Sequence, residues 1–147
     1  MPQAAINYEV AVLETTEEME AIIPEIDSSF GDHAPLTRWE IAYRNNAFKV
    51  IHTLRDDTNR LVALSVLSID IEKQRAEIAW RIVKISSQGL GLINLLHAKE
   101  LAYLKTLGIR KISAVAATTN GEKSFRKQGF TTLDQMNPDH VTLELDA

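Results

Sequence analysis

Six consecutive residues, Ser86-Ser87-Gln88-Gly89-Leu90-Gly91, stand between a strand-like stretch and the longest helical pattern of the chain. The first N–H groups of a helix have no intrahelical acceptor, and a glycine removes the Cβ that would hold an anion off the backbone. Gly89 and Gly91 therefore form a phosphate signal, although a glycine pair also serves a plain strand-to-helix turn. Two rival phosphate loops lose ground by letter. No Gly-Lys-Ser/Thr follows, and Asn94 stands where a dinucleotide-binding loop wants its third glycine. Glu77, shortly before the loop, is a candidate proton acceptor; the alternative is a solvated carboxylate or one paired with Arg81 along the same strand face. His33, His52, His97 and His140 lack metal-ligand spacing, and the chain has no cysteine. No metal site is expected, and disulfides, thiolate ligands and an acyl-cysteine mechanism are excluded.

The elements that must position these residues follow from periodicity. Tyr8 to Leu13 alternates as a strand, and Thr15-Thr16-Glu17-Glu18 opens a helix carrying Met19, Ile22 and Ile23 inward. Pro24 threatens that helix, so Ser28 to His33 reads as a loop before a second helix from Pro35 to Asn45. Lys49 to Leu54 and Leu61 to Ile69 are strands joined through Asp56-Asp57-Thr58-Asn59, residues that favour turns. Arg75 to Val83 is a fourth strand. Strict alternation places Ala76, Ile78, Trp80 and Ile82 on one face and Glu77, Arg81 and Val83 on the other. From Gly89 the period is helical: Leu92, Leu95, Leu96, Lys99, Ala102, Tyr103 and Leu107 form one stripe, which Gly108 ends. Lys111 to Ala116 is a strand, Thr119-Asn120-Gly121-Glu122 opens a short helix to Gln128, and Val141 to Leu145 is the last strand.

The chain has 147 residues, 45% of them hydrophobic, which suits one domain over 1–147. Its net charge of −4 comes with no run of Lys or Arg, so a nucleic-acid partner is not expected. The N-terminus lacks a basic start followed by an apolar run, and no stretch reaches the ~20 apolar residues of a membrane span. A soluble, cytoplasmic protein is expected, with no membrane partner.

Taken with its surroundings, Ser86 to Gly91 resembles the Gln/Arg-x-x-Gly-x-Gly/Ala signature of the GNAT superfamily of N-acetyltransferases. The resemblance extends over the strand Ala76 to Val83, Gly89 to Leu96, the turn Leu107-Gly108-Ile109 and the segment Phe125-Arg126-Lys127-Gln128-Gly129-Phe130. It implies an α/β fold of the α+β type: a mixed, mainly antiparallel sheet of six to seven strands with splayed central strands, and about four helices. It implies acetyl-coenzyme A as cosubstrate and direct transfer of the acetyl group to a primary amine of a small molecule, an amino acid or a protein. The coenzyme would meet Ile82, Val83 and Ile85 along the strand, Ser87, Gln88, Gly89, Leu90 and Gly91 in the loop, and Asn120, Phe125 and Arg126 near the last helix. Arg75-Ala76-Glu77-Ile78 resembles the segment that carries the general base in one branch of the family, which makes Glu77 the catalytic choice. The acceptor pocket would be walled by Phe30, Asp32 and His33, with Trp39 and Tyr43 nearby. A homodimer is compatible with the family.

Two positions depart from the pattern. Ser86 replaces the usual Gln or Arg, with Gln88 placed to compensate, and Phe125 stands where the family often has a tyrosine that protonates the leaving thiolate. These departures keep open a catalytically weak or inactive version of the fold that senses acyl-coenzyme A or binds a protein partner.

Overall fold

The computed structural model describes residues 7–35, 37, 48–116, 119–137 and 140–146. Seven strands form one sheet in the order β1-β2-β3-β4-β5-β7-β6. They are β1 (Glu9–Leu13), β2 (Phe48–Arg55), β3 (Leu61–Asp70), β4 (Arg75–Val83), β5 (Lys111–Ala116), β6 (Thr131–Asn137) and β7 (His140–Asp146). Every pairing is antiparallel except that of β4 with β5. The described α-helices are α1 (Thr16–Phe30), α2 (Leu92–Thr106) and α3 (Thr119–Lys127). The helix expected from Pro35 to Asn45 falls almost wholly outside the described residues.

Helix α1 starts on a capping box: the Thr15 hydroxyl accepts from the Glu18 N–H at 3.2 Å, and the Glu18 carboxylate accepts from the Thr15 N–H at 3.2 Å. It then runs straight past Pro24, contrary to the sequence expectation of a loop from Ser28, and ends only at Phe30. Pro24 lies on the exposed side, while Met19, Ile22, Ile26 and Phe30 keep a continuous stripe against Ile51, Leu64 and Val66. Burial of that stripe outweighs the one backbone hydrogen bond that proline removes.

Helix α2 covers the opposite face. Leu92, Leu96 and Leu104 pack on the sheet, but Lys99 and Ala102 of the expected stripe are exposed, and His97 and Glu100 are buried instead. The sequence pattern also missed β6, whose run Thr131-Thr132-Leu133-Asp134-Gln135 lacks apolar alternation because it is an edge strand paired, among the described residues, only with β7.

The feature that shapes the centre of the sheet is a bulge in β4. Val66 of β3 faces Trp80 and Leu67 faces Ile78, so Ala79 is an extra residue without a β3 partner. Before it, Ala76 and Ile78 pack with Leu104, Ile112 and Phe125 on the α2 face; after it, Trp80 and Ile82 pack with α1 on the other face. The strict alternation expected for β4 is therefore corrected: Glu77 belongs to the α1 face, and Arg81 and Val83 belong to the α2 face. The parallel ladder of β4 with β5 runs from Arg75/Lys111 to Ile78/Ala114 and stops at the same place. Strands β4 and β5 part there, which leaves the Ala79–Val83 edge unpaired among the described residues.

Candidate active site

A cavity of about 650 Å³ opens where β4 leaves β5. It is walled by Arg81 and Val83 of β4, by Ser87, Gln88, Gly89 and Gly91 of the loop, by the first turn of α2, and by α3 from Lys123 to Lys127. Gly91 is the N-cap of α2, with φ 73° and ψ 17°, and it provides no side-chain cap to the helix. Gly89 has φ 83°, and a Cβ built on either glycine would meet nothing within 4 Å. Their need for glycine is thus a matter of left-handed backbone, and the space in front of them is open. The positive end of the α2 dipole points into that space.

The cavity has a neutral to cationic lining: Lys123 and Lys127 are exposed on α3, and Arg81 lies at the buried end. Of the residues singled out for a coenzyme, Val83, Ser87, Gln88, Gly89, Gly91 and Phe125 line the cavity. Ile82 turns its side chain to the α1 face, and Leu90 is 59% exposed beside the cavity. Arg126 points away, donating to Glu122 at 3.3 Å and to Thr132 at 2.6 Å. The side chains of Ile85 and Asn120 lie outside the described residues. Gln88 donates its side-chain N–H to the Val83 carbonyl at 3.4 Å, tying the loop back to the unpaired edge of β4.

Arg81 is the residue that sequence reading undervalued. Its side chain is 6% exposed, and it pairs with Glu100 of α2, 2% exposed, at 3.1 Å rather than with Glu77. It also donates to Gln128 Oε1 at 2.9 Å and meets His97 Nδ1 at 3.3 Å. A guanidinium has no acceptor, so Nδ1 must be the acceptor and the imidazole proton sits on Nε2. The guanidinium carbon lies 5.2 Å from the centre of the Phe125 ring, itself edge-on to Phe130 at 5.2 Å. Burial, reinforced by the Arg81 charge, pushes the His97 pKa down to about 4, against the opposing charge of Glu100. The fully buried His52 is lowered in the same direction, chiefly by burial. An i, i+3 pair of His97 and Glu100 on one face of α2, opposite an arginine on a strand, was the signal available in the sequence.

The other face carries Glu77. It is half-buried between Ser68 of β3 and Ser113 of β5, at the last turn of the pleat before the bulge. Just past the bulge the Trp80 indole N–H donates to Thr37 Oγ1 at 2.8 Å, and Thr37 in turn donates to the His33 carbonyl at 2.8 Å. That chain fixes the segment after α1 against β4. Asp32 and His33 of that segment are exposed, whereas Phe30 is buried in the α1 core. Trp39 and Tyr43 lie outside the described residues. No group of three or more His, Asp or Glu able to hold a metal occurs among the described residues.

No family model and no curated protein sequence matches the chain. Solved structures do. The GNAT domain of S. lividans PAT matches with a TM-score of 0.72 at 17% identity, over 94% of this chain and 89% of its own. An IAA acetyltransferase of Bacillus cereus matches at 0.73 and 12% identity, over 96% and 100%. The spermidine/spermine N-acetyltransferase SpeG of Vibrio cholerae, in mutant form, matches at 0.66 and 18% identity, over 95% of each chain. The chain has the fold of the GNAT N-acetyltransferases, with the mixed, mainly antiparallel sheet and central split expected of it. No helix among the described residues is long and apolar enough to cross a membrane.

Two measurements check this site without a ligand. Alanine at Gly91 must adopt a left-handed backbone in open space, so Gly91→Ala is expected to lower the unfolding free energy by about 1–2 kcal/mol and Gly91→Asn by less. Equal losses in urea titrations would place the cause in a clash instead. The depressed His97 leaves the unfolded chain holding the extra proton between about pH 6.5 and about pH 4, so stability falls as pH is lowered through that window. His97→Gln is expected to flatten the slope between about pH 6.5 and 5, above the main carboxylate titrations; an unchanged slope would contradict the neutral buried imidazole.

Proposed function

We propose that the protein is an acetyl-coenzyme A dependent N-acyltransferase that passes an acetyl group to a primary amine within a ternary complex. The observation that carries this reading is the coincidence of three parts in one cavity: a left-handed glycine pair at an uncapped helix N-terminus, two exposed lysines, and an unpaired strand edge leading away from them. Each part fits one portion of the coenzyme. The N–H groups around Gly89 and Gly91, with Lys123 and Lys127, would take the pyrophosphate. The free edge from Ala79 to Val83 would pair with the amides of the pantetheine arm, with the Gln88 side chain yielding the Val83 carbonyl. The coenzyme supplies an acyl thioester, and it would reach the split between β4 and β5.

An amine must be neutral to attack, and an alkyl ammonium with pKa near ~10.4 has no lone pair to offer. Glu77 lies on the face opposite the cavity and beside the split, where an amine would approach. Its carboxylate, or a water it positions, would accept the proton. Backbone N–H groups of the unpaired β4 edge would face the carbonyl oxygen as charge develops there. The segment of Asp32 and His33, held to β4 by Trp80 and Thr37, would wall the acceptor side.

The buried Phe125 ring, with no hydroxyl to give a proton, favours a second reading as an acyl-coenzyme A sensor. Glu77→Gln separates the two. In an enzyme it is expected to lower thiol release with amine acceptors by roughly 10²–10⁴-fold while the affinity for acetyl-coenzyme A stays the same. Coenzyme binding with no thiol release by the unsubstituted protein across small amines, amino acids and peptides would favour the sensor.

A further inference from the structure

The bulge at Ala79 separates two groups of opposite charge. Glu77 is carried on the α1 face and Arg81 on the α2 face, one on each side of the split between β4 and β5. The cavity lies on the Arg81 side. A thioester delivered from that cavity into the split keeps its sulfur on the cavity side and turns its acyl carbon toward the other. The cation thereby stands with the sulfur, and the carboxylate with the amine.

Arg81 has donors to spare for such a partner. Of the five N–H bonds of a guanidinium, three are spent among the described residues, on Gln128, His97 and Glu100. The N–H at Nε is buried and has no partner among the described residues. Leaving a buried charged donor unmade is costly, and an ordered water, an ion or a ligand atom can supply its partner. Glu100, Gln128 and the Phe125 ring hold the guanidinium in one place, so little reorganisation would be needed when negative charge develops near it. Lys123 and Lys127 are the other cations on the cavity, but both are exposed and sit on α3, where solvent screens them.

We infer that Arg81 is a further catalytic residue, a fixed cation that stabilises the leaving thiolate where Phe125 provides no acid. This rests on the reading of the cavity as a coenzyme A site. In the transfer step the amine lone pair forms the N–C bond, the C–S bond breaks with its electron pair passing to sulfur, and the nitrogen proton goes to Glu77 or its water. Arg81 keeps its proton, and the thiolate remains paired with the guanidinium until solvent protonates it.

The test compares coenzyme A with desulfo-coenzyme A, which lacks the thiol, by calorimetric titration between about pH 6 and 9.5, around the ~8.5 of an alkyl thiol. With Arg81 in place, the affinity for coenzyme A relative to desulfo-coenzyme A is expected to rise with pH, approaching about tenfold, because the bound thiol ionises about one unit lower. Arg81→Met is expected to remove that rise and Arg81→Lys to keep part of it. A flat ratio in the unsubstituted protein, with both ligands bound, overturns the role of Arg81 and leaves the coenzyme site standing. A rise that persists in Arg81→Met assigns the effect to Lys123 or Lys127 and also overturns it. Failure of both ligands to bind overturns the coenzyme site and this inference together. Should Arg81 variants not fold, replacing both Lys123 and Lys127 by Gln decides: the rise is expected to persist, and its loss assigns the effect to the lysines and overturns the role of Arg81.

Discussion

Between Ile78 and Trp80 the fourth strand holds one residue more than its neighbour can pair, and the arrangement of the site depends on that excess. A bulge increases local twist and reverses which side chains face which layer. Here it coincides with the end of the parallel ladder between β4 and β5, so a single position opens the sheet and divides its chemistry. Without it Glu77 and Arg81 would share one face of the strand. With it the acid is presented beside the α1 layer and the cation beneath α2, at the buried end of a cavity that reaches the glycine loop.

The cation in turn depends on α2. A guanidinium and a carboxylate taken out of water need several hydrogen bonds to offset their lost hydration, and removing one partner of such a pair costs about 3–5 kcal/mol. Glu100, His97 and Gln128 provide those bonds to Arg81 from α2 and from the end of α3. The helix that turns its N-terminus toward the cavity is therefore the helix that holds Arg81, and cavity and buried pair form one mechanical unit. Gln128 adds a weaker tie, donating to Asn94 Oδ1 at 3.5 Å near the start of α2.

Much of this was legible in the residues. Strand β4 was read with its observed ends, and the turn at Asp56 to Asn59 was read from side chains that bond their own backbone, as Asp56 does to the Thr58 and Arg60 N–H groups. The glycine loop was legible because a left-handed N-cap leaves a glycine in the letters. The bulge left none. Ala79 is an ordinary strand residue, and its exclusion from pairing is decided by β3 and by α1 drawing Trp80 to the other face. Glu100 was hidden for a related reason: periodicity assigns charged residues outward, and only the arginine delivered by a bulged strand makes it favourable inside. Pro24 misled in the opposite sense, since a proline on the exposed side of a helix gives up one hydrogen bond while the buried stripe continues.

On this proposal the cavity beside the β4–β5 split receives acetyl-coenzyme A with its thioester in the split. A crystal structure of the protein with acetyl-coenzyme A tests it most directly. Pyrophosphate oxygens are expected on the N–H groups around Gly89 and Gly91, the pantetheine arm along Ala79 to Val83, sulfur on the Arg81 side and the acetyl carbon facing Glu77. A coenzyme bound elsewhere on the protein, or one whose acyl end turns away from the split, would contradict it.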